Sequence, residues 1–175
     1  MIEEAIKSVI RDVHDFPKPG IVFKDITPIL QDQHLCSSII TSFAHELEGL
    51  EFDAVAGIES RGFLFGLLLA NHLNKPFIPI RKQGKLPHKV ISQSYDLEYG
   101  SATIEIHEDA FQSGDRILVH DDLLATGGTV DATSRLIEKM GGKVAAFTFV
   151  VSLDFLKGEE KLLPYCDKVI SLARY

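Results

Sequence analysis

The sequence lacks the features from which a disulfide framework or a membrane anchor is built. Its 175 residues include only two cysteines, Cys36 and Cys166, which lack metal-ligand spacing and are expected to be free thiols in a reducing compartment. The longest apolar run, residues 63–70, is far too short to span a bilayer. Residues 1–10 carry two early acids and no basic segment before an apolar block, so no secretory signal is expected. These absences predict a cytoplasmic protein without membrane contact.

Positive charge is also scarce, and it is unevenly distributed. The chain has 18 Lys and Arg against 25 Asp and Glu, a formal net charge of −7. This balance argues against nonspecific nucleic-acid binding, which needs a broad basic surface. Residues 81–89, RKQGKLPHK, nevertheless contain four basic side chains, a histidine and no acid. This basic arm is either a solvated loop or a binding segment for a small, highly charged anion.

The hydrophobic pattern alternates between strands and helices, which indicates one α/β domain with a mainly parallel sheet covered on both faces. The spacing of Ile2, Ile6, Val9, Ile10 and Val13 predicts a first helix that ends before the DFPKPG turn. Further helices are expected over about residues 34–48, 60–74 and 128–140. Strands are expected over about residues 21–26, 52–58, 75–81, 115–121, 143–153 and 168–175, with two more flanking residues 98–100. The core is expected to include Phe63, Phe65 and Leu67, Leu68 and Leu69.

The stretch RILVHDDLLATGGTV, residues 116–130, contains two features that folding alone does not require: two adjacent aspartates and two consecutive glycines. Adjacent aspartates repel each other, and two consecutive glycines are costly in backbone entropy. Between a strand and a helix, residues 125–129 can direct backbone N–H groups and the positive end of the helix at an anion. The lysine and the spacing of a Walker loop are absent. Carboxylates bind vicinal hydroxyls and help to hold a divalent cation, so a ribose 5-phosphate explains both features.

Several segments of the sequence resemble those of a known family. ILVHDDLLATGGTV looks like the 5-phosphoribosyl 1-diphosphate (PRPP) signature of type I phosphoribosyltransferases. DFPKPGIVFKDITPIL, AGIESRGFLFG, IPIRKQGKLP and SYDLEYGSATIEIHEDAF resemble, in order and spacing, segments of the adenine phosphoribosyltransferase family. The resemblance covers essentially the whole chain. It implies a single type I phosphoribosyltransferase domain over residues 1–175: a mainly parallel, twisted sheet flanked by helices, a small N-terminal hood at about 1–33 that binds the base, and a mobile flap at about 82–105.

The resemblance also implies an activity and its residues. The family is a pentosyltransferase of purine salvage, which converts adenine and PRPP to AMP and pyrophosphate with Mg²⁺, and a homodimer is expected. Ribose and 5-phosphate would be bound by Asp121, Asp122, Ala125, Thr126, Gly127, Gly128 and Thr129. Pyrophosphate would be bound by Glu59, Ser60, Arg61, Gly62, Arg81, Lys82 and Lys85, with a cis Glu59–Ser60 peptide bond. Adenine would be bound by Val22, Phe23 and Lys24, and catalysis is assigned to Glu98, Tyr99 and Arg61. Mg²⁺ would be held indirectly by Asp121 and Asp122, through ribose hydroxyls or water.

Departures from the family pattern leave two alternatives open. His120 stands where the family usually has an aliphatic residue, and a hydrogen bond to a neighbour is expected there rather than a metal. Lys24 replaces an arginine that is common in relatives. One alternative is a phosphoribosyltransferase for xanthine, hypoxanthine or orotate, against which VFKDIT and LEYG argue. The other is a non-enzymatic PRPP-sensing regulator, for which an added DNA-binding domain or a basic face would be expected.

Overall fold

A computed structural model describes residues 1–97 and 100–175 of the chain. The helices in those residues are α1 (Ile2–Val9), α2 (Gln33–Glu46), α3 (Gly62–His72) and α4 (Gly128–Lys139). The strands are β1 (Arg11–His14), β2 (Val22–Asp25), β3 (Ala54–Ile58), β4 (Phe77–Lys82), β5 (Val90–Asp96), β6 (Ser101–His107), β7 (Arg116–Leu124), β8 (Lys143–Ser152) and β9 (Val169–Arg174). Short 3-10 turns cover Thr27–Gln31, Asp154–Leu156 and Gly158–Lys161. Glu98 and Tyr99, the predicted catalytic residues of the flap, lie outside the described residues.

A seven-stranded sheet in the order β5-β6-β4-β3-β7-β8-β9 forms the centre of the fold. The pairs of β3 with β4 and β7, of β7 with β8 and of β8 with β9 are parallel. Strands β5 and β6 pair antiparallel with each other, and β6 pairs antiparallel with β4. A separate two-stranded sheet joins β1 and β2. The expected mainly parallel α/β architecture is therefore confirmed.

Both faces of the central sheet are covered, because alternate residues of its inner strands point to opposite sides. On β7, Leu118 packs into a core formed with α1, α2 and α3, whereas Ile117 and Val119 pack into a core formed with α4. The inner strands are accordingly apolar at nearly every position, as expected for a sheet buried on both faces. No helix in the described part of the chain combines the length and apolar character needed to cross a bilayer.

Two expectations about local structure were wrong. The first helix ends at Val9, and Val13 lies in β1, where it pairs with Phe23 of β2. The apolar spacing continues into this strand, so periodicity alone could not mark the helix end. The second expectation concerns Thr27 and Pro28, a pair that predicts an N-cap followed by the first residue of a helix. Instead, Thr27 is the first residue of a 3-10 turn, and Asp32 caps α2 by accepting a hydrogen bond from the Leu35 N–H at 3.0 Å.

A third correction concerns α3, which is apolar all round. Phe65 and Leu69 are fully buried and Phe63 is half-buried, but Leu67 and Leu68 are 55% and 49% exposed in the single chain. Leu64 is also exposed, at 42%. The expected assignment of Leu67 and Leu68 to the core was therefore wrong for one copy of the chain, because only one side of α3 contacts the sheet.

Candidate active site

The candidate site lies where the carboxyl ends of three neighbouring parallel strands meet. Strands β4, β3 and β7 are adjacent and run in the same direction, so the residues that follow them share one edge of the sheet. The pairing of β3 with β7 ends at Gly57 and His120, whereas β7 continues beside β8 to Leu124. Asp121 and Asp122 are consequently inside β7 rather than at its end, in the part that extends beyond its β3 neighbour.

The two aspartates differ in burial, and their carboxylates repel each other. Asp122 is 4% exposed and Asp121 is half-buried, and the Asp121 carboxylate accepts a hydrogen bond from the Asp122 N–H at 2.9 Å. Burial, followed by the neighbouring Asp122 carboxylate, raises the pKa of Asp121 well above its ordinary value, and the Arg61 guanidinium opposes this rise. A ligand that donates hydrogen bonds or brings positive charge would relieve the repulsion.

The loop between β3 and α3 brings residues 59–62 against this pair. The Glu59–Ser60 peptide bond is cis, as expected. Arg61 Nε lies 3.0 Å from Asp122 Oδ2, and its guanidinium carbon is 5.2 Å from the centre of the Phe23 ring. A Cβ on Gly62 would lie 2.8 Å from Asp121 Oδ1 and 3.1 Å from its Cα, so only glycine lets α3 begin this close to β7.

The turn between β7 and α4 forms the predicted cradle. Residues 121 and 123–130 line a small cavity of about 90 Å³. Gly127 occupies the N-cap position of α4 with φ 76°, a left-handed conformation that strains other residues. The first N–H groups of a helix have no acceptor within it, so those of α4 remain available to an anion. The structure thus brings the predicted residues together around one cavity: Ala125, Thr126, Gly127, Gly128 and Thr129.

Asp131 stabilises the cradle helix from outside the cavity. Its carboxylate accepts a hydrogen bond from the Tyr165 hydroxyl at 2.7 Å and forms an ion pair with Arg135 one turn later. Burial, then the hydrogen bond to Asp131, raises the pKa of Tyr165 to about 12, so this phenol remains a donor at neutral pH. These contacts give Asp131 a structural role in the first turn of α4.

A larger cavity of about 400 Å³ adjoins the cradle, and its lining includes both aspartates. Residues 21–24 form one wall, in which the Phe23 ring stands edge-on to Phe16 at 5.2 Å. The Lys24 side chain leaves the cavity: its Nζ lies 2.6 Å from Asp12 Oδ1 and 4.1 Å from the centre of the Tyr175 ring. Lys24 can therefore contact a ligand here through its backbone.

Two carboxylates hold the beginning of the basic arm. Glu59 Oε2 accepts hydrogen bonds from the Lys82 N–H at 2.9 Å and from Arg81 Nε at 3.2 Å. Burial tends to raise the pKa of Glu59, but the Lys82 N–H and the Arg81 guanidinium outweigh it, and the pKa is lowered. Buried Glu105 on β6 accepts the Gly84 N–H at 2.9 Å. Arg81 also donates to the Lys85 carbonyl, so its guanidinium braces the arm, whereas Lys82 and Lys85 are exposed.

Several residues that build the site could not be identified from sequence patterns. Leu153 and Leu156, after β8, supply a further wall of the 400 Å³ cavity. Gly158 packs against the cradle backbone: a Cβ there would collide with the Ala125 carbonyl oxygen. Tyr95 of β5 reaches Thr129, and Glu105 fixes the arm. Each acts through a contact between segments distant in sequence, and only the unexplained glycine in LKGEEK could have indicated a close approach.

Comparison with known proteins gives one consistent answer. The family model of the phosphoribosyl transferase domain matches residues 29–173. The adenine phosphoribosyltransferase of Cytophaga hutchinsonii is 54% identical over 175 residues, covering 100% of this chain and 97% of the relative. The crystal structure of the enzyme of that name from Thermoanaerobacter pseudethanolicus is 48% identical, with a TM-score of 0.95 and 100% of both chains covered. The adenine phosphoribosyltransferase of Saccharomyces cerevisiae, complexed with adenine and an imino-altritol bisphosphate, is 37% identical, with a TM-score of 0.92 and 98% of both chains covered.

Proposed function

This chain belongs to the adenine phosphoribosyltransferase family, and from that premise we propose that it transfers the 5-phosphoribosyl group of PRPP to adenine in purine salvage. In the reaction the bond between ribose C1 and the diphosphate oxygen breaks, and a bond from C1 to a ring nitrogen of adenine forms. The products are AMP and pyrophosphate. Adenine loses the proton of that nitrogen, so the protein needs to supply positioning and electrostatic stabilisation rather than a nucleophile of its own.

The observation that carries the proposal is the continuity of the two cavities. The 400 Å³ cavity extends from Phe23 to the aspartates and Ala125, and the 90 Å³ cradle shares Asp121, Leu123 and Ala125 with it. A ligand with a base, a ribose and a 5-phosphate matches this order of apolar wall, carboxylates and anion cradle. On this basis Asp121 and Asp122 bind the ribose hydroxyls, and residues 125–129 bind the 5-phosphate.

The apolar end of the larger cavity suits a purine. Phe23 would stack on one face of the ring, with Leu153 and Leu156 nearby. Among the described residues β2 pairs only with β1, which leaves the backbone of its other edge to read the base. A carbonyl facing the adenine amine and an N–H facing the adjacent ring nitrogen would reject oxopurines, since each mismatched buried group costs roughly 1–3 kcal/mol.

The leaving group would be stabilised by the cations at the β3 and β4 ends. Bond cleavage builds negative charge on the diphosphate, and fixed donors aimed at that charge lower the barrier. Arg61, Lys82 and Lys85 are proposed to face it, with the backbone of Ser60 and Gly62, while Glu59 and Arg81 hold the arm in place. Glu98 and Tyr99 are proposed to close over the reacting centre and exclude water, which would otherwise capture the ribosyl cation.

The carboxylate pair also fits the Mg²⁺ that this family uses with PRPP. Mg²⁺ takes oxygen ligands, keeps several waters, and is commonly bound by one or two carboxylates together with substrate phosphates. Within the described ranges, no cluster of three or more His, Cys, Asp or Glu side chains could hold a metal ion, which suits an ion that substrate oxygens and water mostly ligate. Asp121 and Asp122 would hold it indirectly, and it would neutralise charge on the diphosphate.

One assay separates this proposal from its alternatives. Adenine, hypoxanthine and guanine at equal concentrations compete for limiting PRPP with Mg²⁺, and the nucleotide products are quantified. AMP should exceed IMP and GMP by roughly a hundredfold, as expected from two buried mismatches. Comparable yields would favour a different base specificity. No nucleotide product, with PRPP still raising the melting temperature by mass action, would favour the PRPP-sensing regulator.

We further propose that the enzyme is a homodimer in which a second copy of the chain covers the exposed side of α3. Leu64, Leu67 and Leu68 expose an apolar side of this helix, beside a cavity of about 440 Å³ between α2 and α3. A helix that is apolar all round is normally buried, and a second copy would bury this one. Sedimentation should give a dimer that Leu67→Glu dissociates, whereas Leu163→Glu, at a site 52% exposed elsewhere, should not. A wild-type monomer at assay concentration would contradict the proposal.

Three remaining assignments are proposed on the same basis. Residues 1–33 would form the base-binding hood, since β1 and β2 carry Phe23 while α1 packs into the main core. Residues 82–105 would form the flap. A cytoplasmic location is supported by the free thiols of Cys36 and Cys166. Recovery from a membrane or extracellular fraction would contradict that location.

A further inference from the structure

One contact joins the first strand of the flap to the phosphate cradle. The Thr129 hydroxyl donates a hydrogen bond to the Tyr95 hydroxyl, with 3.1 Å between the oxygens. Tyr95 lies on β5, and Thr129 is the second residue of α4 and lines the cradle cavity. A Cβ on Gly128 would be 3.7 Å from Tyr95 Cδ2, so the aromatic ring lies beside the start of α4.

Tyr95 is held in position because β5 contacts α4 near both ends of the helix. Its ring packs against the core between α4 and the sheet. At the other end of the helix, Lys139 Nζ lies 3.3 Å from the Ser92 carbonyl oxygen, to which it donates a hydrogen bond. Strand β5 therefore contacts α4 near both ends of the helix. The strand that holds the Tyr95 hydroxyl at the cradle is also the strand that leads into the flap.

We propose that Tyr95 is a positioning residue for the 5′-phosphate and acts through Thr129. A threonine hydroxyl has one hydrogen to donate and two lone pairs that accept. When a 5′-phosphate enters the cradle, Thr129 turns its hydrogen to a phosphate oxygen and accepts the Tyr95 hydrogen instead. The resulting chain, Tyr95 to Thr129 to phosphate, satisfies both hydroxyls and polarises each bond in turn. The inference rests on the proposed function, since it requires the cradle to bind a 5′-phosphate.

The consequence is that the flap strand favours the phosphate-bound cradle without touching the phosphate. The hydrogen bond is present in both states, but its donor reverses, and in the bound state it is stronger because the charged phosphate polarises the Thr129 hydroxyl. Removing the Tyr95 hydroxyl should therefore weaken ligands that carry a 5′-phosphate and leave those that lack it unaffected. A merely structural role of Tyr95 would weaken both classes equally.

The test compares AMP with adenosine by calorimetry, using wild type and four variants. Tyr95→Phe keeps the ring and should weaken AMP by roughly threefold to tenfold, because the bond is lost in both states and only its strengthening by the charged phosphate affects affinity. Adenosine affinity should stay within about twofold, the usual limit for independent sites. Thr129→Val should weaken AMP as well, and adding Tyr95→Phe to it should cost no more than about twofold further. Ser94→Ala is the matched control: it removes another hydroxyl of β5, which forms a hydrogen bond with the Thr103 hydroxyl of β6 at 2.9 Å, and it should change neither affinity.

Each other outcome overturns the inference, and one also overturns the proposed function. If Tyr95→Phe binds AMP as well as wild type, or if its loss multiplies with that of Thr129→Val, Tyr95 does not act through Thr129. If it weakens adenosine and AMP equally, the residue is structural. Either result leaves the function intact while wild type binds AMP and forms it from adenine. A wild type that binds neither AMP nor ribose 5-phosphate removes the cradle assignment itself.

Discussion

Arg61 Nε lies 3.0 Å from Asp122 Oδ2, so the arginine proposed for the leaving group is paired with a carboxylate proposed for the ribose. Arg61 comes from the loop after β3, Asp122 from β7, and the same guanidinium lies over Phe23. The ion pair therefore joins all three parts of the site. In the proposed binding mode PRPP would offer each partner a replacement, since the diphosphate would bring negative charge to Arg61 and the ribose hydroxyls would donate to Asp122.

The first prediction concerns the pKa of Asp121. Asp122 contributes to its rise and Arg61 opposes it. Asp122→Asn should lower the titration midpoint of the Asp121 carboxyl carbon measured by NMR, and Arg61→Gln should raise it. Arg61→Lys, which keeps the charge, should change it little. Shifts in the same direction for Asp122→Asn and Arg61→Gln would contradict the electrostatic account of the pair.

The sign of this pKa shift also has a consequence for stability. The pKa of Asp121 is higher in the folded state than its unfolded value of about 3.8. Asp121 therefore stabilises the folded state fully at pH values below the unfolded pKa, and this contribution is lost as pH rises through the folded pKa. A ligand that needs the charged carboxylate must release that proton. PRPP affinity is therefore expected to fall as pH falls through the raised pKa.

The second prediction is that Asp121→Asn with Asp122→Asn abolishes transfer in a folded protein. Hydrogen bonds to charged groups are each worth about 1.5–3 kcal/mol, so losing two carboxylates should reduce turnover by roughly a hundredfold or more. Circular dichroism and thermal unfolding establish that the variant folds. Near-normal turnover with a normal melting curve would show that the pair does not bind the sugar.

The third prediction separates the diphosphate from the nucleotide. Replacing Lys82 and Lys85 by Ala should weaken PRPP and pyrophosphate by roughly tenfold and leave AMP nearly unchanged, because two exposed cations near a highly charged diphosphate are lost. Lys143→Ala with Lys168→Ala is the matched control, since it removes the same charge at the opposite end of the sheet. Equal losses for PRPP and AMP, or equal effects of the two double variants, would rule out a local role.

The fourth prediction tests how the cradle is supported. Gly158→Ala would press its Cβ into the Ala125 carbonyl oxygen, and backbone on both sides leaves little room to adjust. AMP affinity should fall by tenfold or more, since about 1–3 kcal/mol is the usual cost of overpacking. Gly49→Ala is the control: it introduces strain at φ 76° with nothing within 4 Å, so it should lower the melting temperature alone. AMP binding unchanged by Gly158→Ala would show that this contact is not needed.

The parts of the site that could be predicted from sequence are those built from one continuous segment. The cradle is a strand, a turn and a helix in sequence, so residues 121–129 carry its chemistry in their own order. Leu156, Gly158 and Tyr95 contribute only through packing against residues far along the chain, which no local pattern records. Leu67 and Leu68 of α3 were wrongly assigned to the core for a related reason. Their hydrophobicity predicts that they are buried, but it does not say whether the same chain or a second molecule buries them.

His120 shows how one departure from the family pattern is accommodated. It is fully buried within β7, its Nδ1 lies 3.0 Å from Thr148 Oγ1, and its ring stands edge-on to Phe43 at 5.6 Å. The expected hydrogen bond to a neighbour is confirmed. Its Nε2 is buried and has no hydrogen-bond partner among the described residues. Burial lowers the pKa of His120 from 6.5 to about 3, so the imidazole is neutral throughout the neutral range.

The last prediction follows from that lowered pKa. The unfolded chain takes up a proton near pH 6.5 whereas the folded chain does not until about pH 3, so the folded state loses stability as pH falls through this interval and loses none above it. His120→Val removes the group and should remove the loss. Relative to wild type, its unfolding free energy should improve by roughly 2–3 kcal/mol between pH 7 and pH 4.5, at about 1.4 kcal/mol per unit below 6.5. Denaturant titrations at both values measure it.

Two further variants isolate the cause of this pH effect. His34→Ala removes an exposed imidazole that water solvates in both the folded and the unfolded state, so it should keep the wild-type slope. Adding Thr148→Val to His120→Val removes both partners of the hydrogen bond and should leave stability at pH 7 within about 1 kcal/mol of wild type. If His120→Val retains the wild-type pH slope, the buried imidazole is not the source of the acid sensitivity, which must come from other groups. Asp121 is excluded as that source, because its raised pKa acts in the opposite direction.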